Sequence, residues 1–351
     1  MSKRIPVVII SGFLGAGKTT FLRYLLKNSG KKFGLLINEF GDVGLDGDLI
    51  NTCNKCNDYS SESIIELNNG CLCCTVQEDF IPSIQNLLEL NSDLEAIIIE
   101  TSGLALPKPL LQALNWPEIR SLVYLDLVIG LVNGESMLDG TPINDLDEIN
   151  SQYTNTEIID HKSSIDELFD EQLEVSDVVL ISRADLLSES QFKIVKNRIE
   201  KKINMNIPIL KSFNGELNLR YIFDLDIKGR SSKNIISDNE EHNHPDLFSD
   251  SFQCNYFLDR NQLEIELSKI LKEINIYRIK GRAWIPNKAL PLQIQIVGRK
   301  INTWFEEAPS KSWKPISKGG IELIMIGPDK QSFIILQEKI KEKFNNSSSL
   351  K

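Results

Sequence analysis

Gly12-Phe13-Leu14-Gly15-Ala16-Gly17-Lys18-Thr19 fits the spacing G-x-x-x-x-G-K-[ST]. Residues of these types in this order suit phosphate chemistry. Glycines let backbone N–H groups close around phosphate oxygens, a lysine reaches the β and γ phosphates, and a hydroxyl is offered to Mg²⁺. Gly12, Gly15, Ala16 and Gly17 are then the expected cradle, joined by Lys18, Thr19 and Thr20. An ordinary glycine turn is the competing reading, and the context disfavours it: the motif follows a strand-like run and opens a helix-like one. A dinucleotide fingerprint is also disfavoured, because G-x-G-x-x-G counted from Gly15 needs a glycine where Thr20 stands.

Two further groups add chemistry. Glu100-Thr101-Ser102-Gly103 follows the apolar run Ala96 to Ile99, so that Glu100 is placed at a strand end, where a carboxylate can hold Mg²⁺ through water. Lys18, Thr19 and Glu100 are the catalytic candidates, with Gly103 beside the nucleotide. Cys71-Leu72-Cys73-Cys74 sets three thiols within four residues. In an extended segment Cys71 and Cys73 point the same way and Cys74 needs a turn to join them, so two or three sulfur ligands are available. Thiolates suit Zn²⁺, Cu⁺ and related ions, and an incomplete set suits transfer better than permanent structural binding. The alternative is that these cysteines are small buried hydrophobes. Cys53-Asn54-Lys55-Cys56 is a separate C-x-x-C open to metal or redox chemistry, and Cys254 stands alone as a structural residue.

Positioning these residues requires alternating elements. Strand-like runs at Pro6 to Ser11, Phe33 to Ile37, Ala96 to Ile99, Leu122 to Leu131 and Val178 to Ile181 alternate with helical stretches at Thr19 to Asn28, Phe80 to Leu90 and Ser190 to Lys202. The expectation is an α/β P-loop NTPase domain with a mostly parallel sheet over residues 1–227. Residues 228–251, crowded with polar residues and glycine, read as a linker. A smaller α+β domain is expected over 252–345, with a helix at Gln262 to Ile274, strands at Leu292 to Val297 and Gly320 to Ile326, and a closing helix at Gln331 to Phe344. Residues 346–351 read as a frayed tail.

A chain of 351 residues with 41% hydrophobic and 25% charged content can bury two cores. Net charge of -10 and a pI near 5.1 disfavour nucleic acid as a partner, since that affinity comes chiefly from neutralised phosphates. Lys3 and Arg4 before Ile5 to Ile10 imitate a secretory signal, but the phosphate motif that follows argues against cleavage there. The apolar stretch Leu122 to Val132 is interrupted by Asp126 and falls short of the ~20 residues of a membrane helix. No membrane span is expected, and six cysteines without an export signal point to reduced thiols and the cytoplasm.

The chain resembles the CobW family of metal-handling P-loop GTPases over nearly its whole length. The resemblance is carried by Ser11 to Thr20, Asn38-Glu39-Phe40-Gly41-Asp42-Val43-Gly44, Gly70-Cys71-Leu72-Cys73-Cys74 and Glu100-Thr101-Ser102-Gly103, in that order. It implies GTP as nucleotide, a nucleotide-sensing switch at Glu39 to Gly44, metal at Cys71, Cys73 and Cys74, Mg²⁺ managed by Thr19 and Glu100, and a CobW-type C-terminal domain. Leu104 to Ile119 and Tyr277 to Gly298 look closer to the cobalamin-biosynthesis branch, which implies Co²⁺ as cargo and cobaltochelatase as the receiving client. Zn²⁺ delivered to a zinc-requiring client is the alternative, and a nucleotide- or metal-dependent dimer is a further expectation. Ser182-Arg183-Ala184-Asp185 departs from the Asn-Lys-x-Asp of guanine-reading GTPases, although Asp185 still accepts hydrogen bonds and Arg183 keeps a planar group to lie over a base. His242 and His244 are all that stands where many relatives carry histidine tracts. Two rivals of other classes are a nucleotide-gated metal store with little turnover and a small-molecule kinase with structural cysteines.

Overall fold

Ile5–Gly12 (β1) is a run of β-branched residues buried from Val7 onward, as a strand covered on both faces of a parallel sheet requires. The structure, a computed structural model, describes residues 4–38, 64–67, 80–91, 93–142, 162–203, 207–217, 222, 248–256, 259–308, 312–316 and 319–345. These divide into two compact units, Met1–Leu217 and Asn218–Lys351.

In the first unit β1 is followed by α1 (Lys18–Asn28), β2 (Phe33–Asn38), β3 (Ile64–Leu67), α2 (Ile81–Leu90) and β4 (Ala96–Glu100). Next come α3 (Pro107–Ala113), α4 (Pro117–Arg120), β5 (Val123–Asn133), α5 (Gly134–Asp139), α6 (Lys162–Glu174), β6 (Val178–Ser182), α7 (Glu189–Lys202) and β7 (Ile209–Lys211). The described strands form one seven-stranded sheet in the order β3-β2-β4-β1-β5-β6-β7, every pairing parallel. Ile84 and Leu87 of α2 and Leu110 of α3 pack with Val7, Ile9, Ile97 and Ile99. A second cluster joins Phe169 of α6 and Val195 and Ile199 of α7 to Val132, Val179 and Ile181. Each such aliphatic side chain contributes about 1.5–3 kcal/mol on burial, which is what holds the strand ends in register at the site. β5 carries a register shift opposite Val7 and Val8 that skips Asp126, so the charge foreseen as an interruption sits at a bulge and the strand runs on to Asn133.

The second unit holds β8 (Phe248–Cys254), α8 (Arg260–Ile270), β9 (Arg278–Trp284), β10 (Leu292–Val297), β11 (Lys300–Phe305), β12 (Gly320–Gly327) and α9 (Lys330–Asn345). Its antiparallel sheet has the order β11-β10-β9-β12-β8. Leu263 and Leu267 of α8 and Phe333, Leu336 and Ile340 of α9 pack on Ile279, Ile294 and Leu323. On the alternate strand positions Glu322 accepts from Gln253 at 2.7 Å and stands 3.5 Å from Arg282, and burial raises its carboxyl pKa.

The structure differs from the sequence expectations at four points. The segment 228–251 was expected to be linker throughout, whereas β8 begins at Phe248. Its pattern FSDSFQC buries fully only Phe252, and an edge strand with a polar outer face looks like linker in sequence. The compact units part at Leu217 and Asn218, ten residues before the expected end at 227. β9 and β11 were not foreseen, because RIKGRAW carries three charges and KINTWF is an edge strand with no fully buried residue. The helix expected at Gln262 to Ile274 runs from Arg260 to Ile270.

Candidate functional site

β1 ends at Gly12, where φ is +145° and an added Cβ would lie 2.4 Å from Leu131 O, so only glycine lets the chain leave the sheet beside β5. The loop then turns through Gly15 (φ 70°) and Gly17 (φ 93°) into α1. Gly17 is the helix N-cap and supplies no side-chain oxygen. Side chains close three other helix starts, with a Ser188–Gln191 capping box on α7, Asn133 on α5 and Asp259 on α8, whereas α1, like α2, α3 and α4, has no side-chain cap. The first N–H groups of α1 are therefore left to bind an anion, with the positive end of the helix dipole behind them.

Lys18 Nζ donates to Phe13 O at 3.2 Å, folding the ammonium over the loop. Thr19 Oγ1 donates to Glu100 Oε1 at 3.1 Å, and Glu100 is only 4% exposed at the end of β4. A hydroxyl and a buried carboxylate meeting at the lip of an N–H cradle are hard oxygen donors, and this set fits Mg²⁺. Thr20 is exposed on the first turn of α1. Gly103 approaches the phosphate loop closely, since a Cβ there would meet Leu14 N at 2.7 Å and Leu14 Cδ2 at 2.6 Å. Thr101 N–H donates to Ile10 O at 3.0 Å, and Gln172 of α6 donates from Nε2 to both Gly103 O (3.1 Å) and Ala105 O (3.2 Å). The Glu100 to Ala105 segment is thus held against β1 on one side and α6 on the other.

Ser182-Arg183-Ala184-Asp185 sits beside the same loop: Ser182 Cβ would be 3.6 Å from a Cβ built at Gly17. Arg183 adopts a left-handed conformation (φ 53°) and pairs with Glu135 at 3.0 Å, while Asp185 lies exposed in a 3-10 turn, Ala184–Leu186. An exposed carboxylate there can accept from the N1–H and exocyclic amine of guanine.

Residues the sequence reading passed over also converge here. Phe213-Asn214-Gly215-Glu216 is a tight turn with positive φ at Asn214 and Gly215, packed so close to α1 that a Cβ on Gly215 would lie 2.8 Å from Thr20 O. The Asn-Gly dipeptide is the signal that could have revealed it. Asn133, a cap residue directly before a helix, carried a comparable signal. Gln172 carried none. Glu39, Cys71, Cys73, Cys74, Cys53, Cys56, His242 and His244 lie outside the described residues. Among the described residues no group of three His, Cys, Asp or Glu side chains could hold a metal ion. Cys254 is half-buried, and burial pushes its thiol up to about 12, in keeping with a structural residue.

Residues 6–211 match the family model described as CobW/HypB/UreG, nucleotide-binding domain, and residues 249–347 match the Cobalamin synthesis protein cobW C-terminal domain. The chain belongs to the CobW family. Among its CobW relatives, a Sinorhizobium protein named Zinc chaperone CobW is 38% identical over 333 residues, covering 92% of this chain and 93% of the relative. A Pseudomonas aeruginosa protein of the same name is 36% identical over 334 residues, covering 93% and 88%. The crystal structure of Zn(II)-bound YjiA GTPase from E. coli aligns over 97% of this chain and 99% of that one, at 20% identity and a TM-score of 0.41. No helix among the described residues of this CobW-family chain is long and apolar enough to cross a membrane.

Proposed function

We propose that this chain is a GTP-hydrolysing metallochaperone that binds Zn²⁺ at Cys71, Cys73 and Cys74 and passes it to a client protein. The observation that carries the GTPase half is the Thr19–Glu100 contact of 3.1 Å beside the uncapped start of α1. The cargo half draws on the names of the relatives at 38% and 36% identity, which favour zinc over the cobalt suggested by the branch resemblance.

In this reading the α1 N–H groups and Lys18 bind the phosphates, Lys18 exchanging Phe13 O for phosphate oxygen. Thr19 and Glu100 hold Mg²⁺, which when bound neutralises charge building on the phosphate oxygens. Asp185 reads the guanine edge and the stem of Arg183 lies along the base. The Glu100 to Ala105 segment packs directly on the phosphate loop where Gly103 abuts Leu14.

Register supports coupling between nucleotide and thiols. Ile37 stands opposite Glu100, and Asn38 stands opposite Leu67. β2, which precedes Glu39, and β3, which precedes Cys71, therefore end on the same side of the sheet as Glu100. Hydrolysis, by removing the γ-phosphate, would release whatever arrangement of these two segments the nucleotide favoured, and so time the release of metal.

The test is Zn²⁺ and Co²⁺ affinity of the full chain with and without Mg²⁺ and a non-hydrolysable GTP analogue, repeated on Cys73→Ala and Lys18→Ala. Nucleotide should tighten Zn²⁺ binding, and either substitution should abolish that gain. Equal affinity with and without nucleotide overturns the coupling, and a nucleotide-dependent preference for Co²⁺ over Zn²⁺ returns the cargo to cobalt.

A further inference from the structure

Asn133, the last residue of β5, is 2% exposed and uses both ends of its carboxamide. Its Oδ1 accepts from Glu135 N at 3.0 Å and Ser136 N at 3.3 Å, capping α5. Its Nδ2 donates to Gly15 O at 3.2 Å, inside the phosphate loop. The orientation of the amide is set by chemistry, because only the oxygen can face two N–H groups and only the nitrogen can face a carbonyl.

The same peptide unit is held at its other end. Ala16 N–H donates to Phe13 O at 3.1 Å, so both polar atoms of the Gly15–Ala16 peptide are tied to groups of the protein. Gly15 has φ of +70°, and a glycine with this freedom is where a peptide plane turns over most cheaply. Turning it would free a carbonyl inside a loop that works by presenting N–H groups to an anion, and a carbonyl facing phosphate is repulsive.

We propose that Asn133 is a positioning residue of the phosphate loop, whose side-chain N–H locks the Gly15–Ala16 peptide in its anion-binding orientation. Helix capping alone does not call for an amide at this position, since Asp and Ser cap as well as Asn and neither carries an N–H donor. The inference rests on the nucleotide-binding reading above. It also gives α5 a part in the site: its first turn is fixed to the phosphate loop through Asn133 and to the Ser182 to Asp185 turn through the Glu135–Arg183 pair.

Losing the lock lowers the fraction of chains whose loop is ready to bind, and apparent affinity falls by that fraction. Bound phosphate itself then holds the loop, so turnover at saturation is spared. The experiment compares the full chain with Asn133→Asp, Asn133→Ser and Asn133→Ala, reading fluorescent GDP affinity, steady-state GTP hydrolysis and thermal melting. Asp and Ser keep the cap, so each should lose less melting temperature than Ala. Both should weaken nucleotide and raise KM by about tenfold, with kcat within about twofold. Ala should lose both stability and affinity. Asp and Ser variants with parental affinity, or with lowered kcat at unchanged KM, would reduce Asn133 to a cap and overturn the inference. A parent chain that binds no nucleotide would instead overturn the phosphate-cradle reading, and this inference with it.

Discussion

The close approach of Gly103 to Leu14 makes Gly103→Ala a sharp probe of how the Glu100 segment and the phosphate loop are coupled. An added Cβ would meet Leu14 Cδ2 at 2.6 Å, Leu14 Cγ at 2.8 Å and Leu14 N at 2.7 Å. The leucine side chain can rotate away, but the backbone nitrogen belongs to the loop itself. To regain ordinary contact it must withdraw by roughly 0.7 Å. Forcing one methyl into a packed contact costs about 1–3 kcal/mol, and strain of about 2 kcal/mol borne by the nucleotide-binding arrangement is roughly 30-fold in Kd. Titration with a fluorescent guanine nucleotide in the presence of Mg²⁺ reads this directly. Gly30→Ala is the matched control: its φ is +61° with nothing within 4 Å of the added Cβ, so it strains the backbone by about 1 kcal/mol without touching the site. An affinity change under about threefold for Gly103→Ala, or an equal loss in Gly30→Ala, would refute the argument that this contact transmits between the two segments.

Thr19→Ala should raise the Mg²⁺ concentration needed for half-maximal hydrolysis by on the order of tenfold while leaving nucleotide affinity in EDTA within about threefold; an unchanged Mg²⁺ requirement would remove Thr19 from the metal. Cys254, pushed up to about 12 by burial, should alkylate on the order of a thousandfold more slowly than a free thiol at pH 8 in the native chain and normally in denaturant, as followed by peptide mass spectrometry. Its deprotonation favours the unfolded chain, so the stability it preserves is complete below the ordinary value of 9.0 and is lost as the pH climbs from there toward 12.

Much of this was legible in the sequence where the chemistry is local. The phosphate motif is contiguous, and the strand before Glu100 is an unbroken apolar run, so Gly12 to Thr19 and Glu100 could be placed from spacing alone. The supporting contacts could not. Asn133 reaches a partner 118 positions away and Gln172 reaches two, 69 and 67 positions away, and no periodicity encodes such pairs. β9 stayed hidden for a different reason. Its Arg278, Lys280 and Arg282 alternate with Ile279, Gly281 and Ala283, and the Arg282 charge is tolerated because Glu322 stands 3.5 Å away and Gln293 accepts a hydrogen bond from it. At Gly281 β12 passes so close that a Cβ would fall 2.0 Å from Glu322 O, so glycine here marks tight strand contact.

The register of β1 has a consequence for how the chain is made. Val7 pairs with Ile97 and Ile5 with Val123, so β1 has no partner on either side until much of the domain has been synthesised. At ordinary elongation rates that interval is roughly 5 to 25 s, during which IPVVIISG, among the most water-averse stretches of the chain, stays uncovered. The phosphate loop hangs from this strand, so its geometry can be fixed only after β4 and β5 have been made.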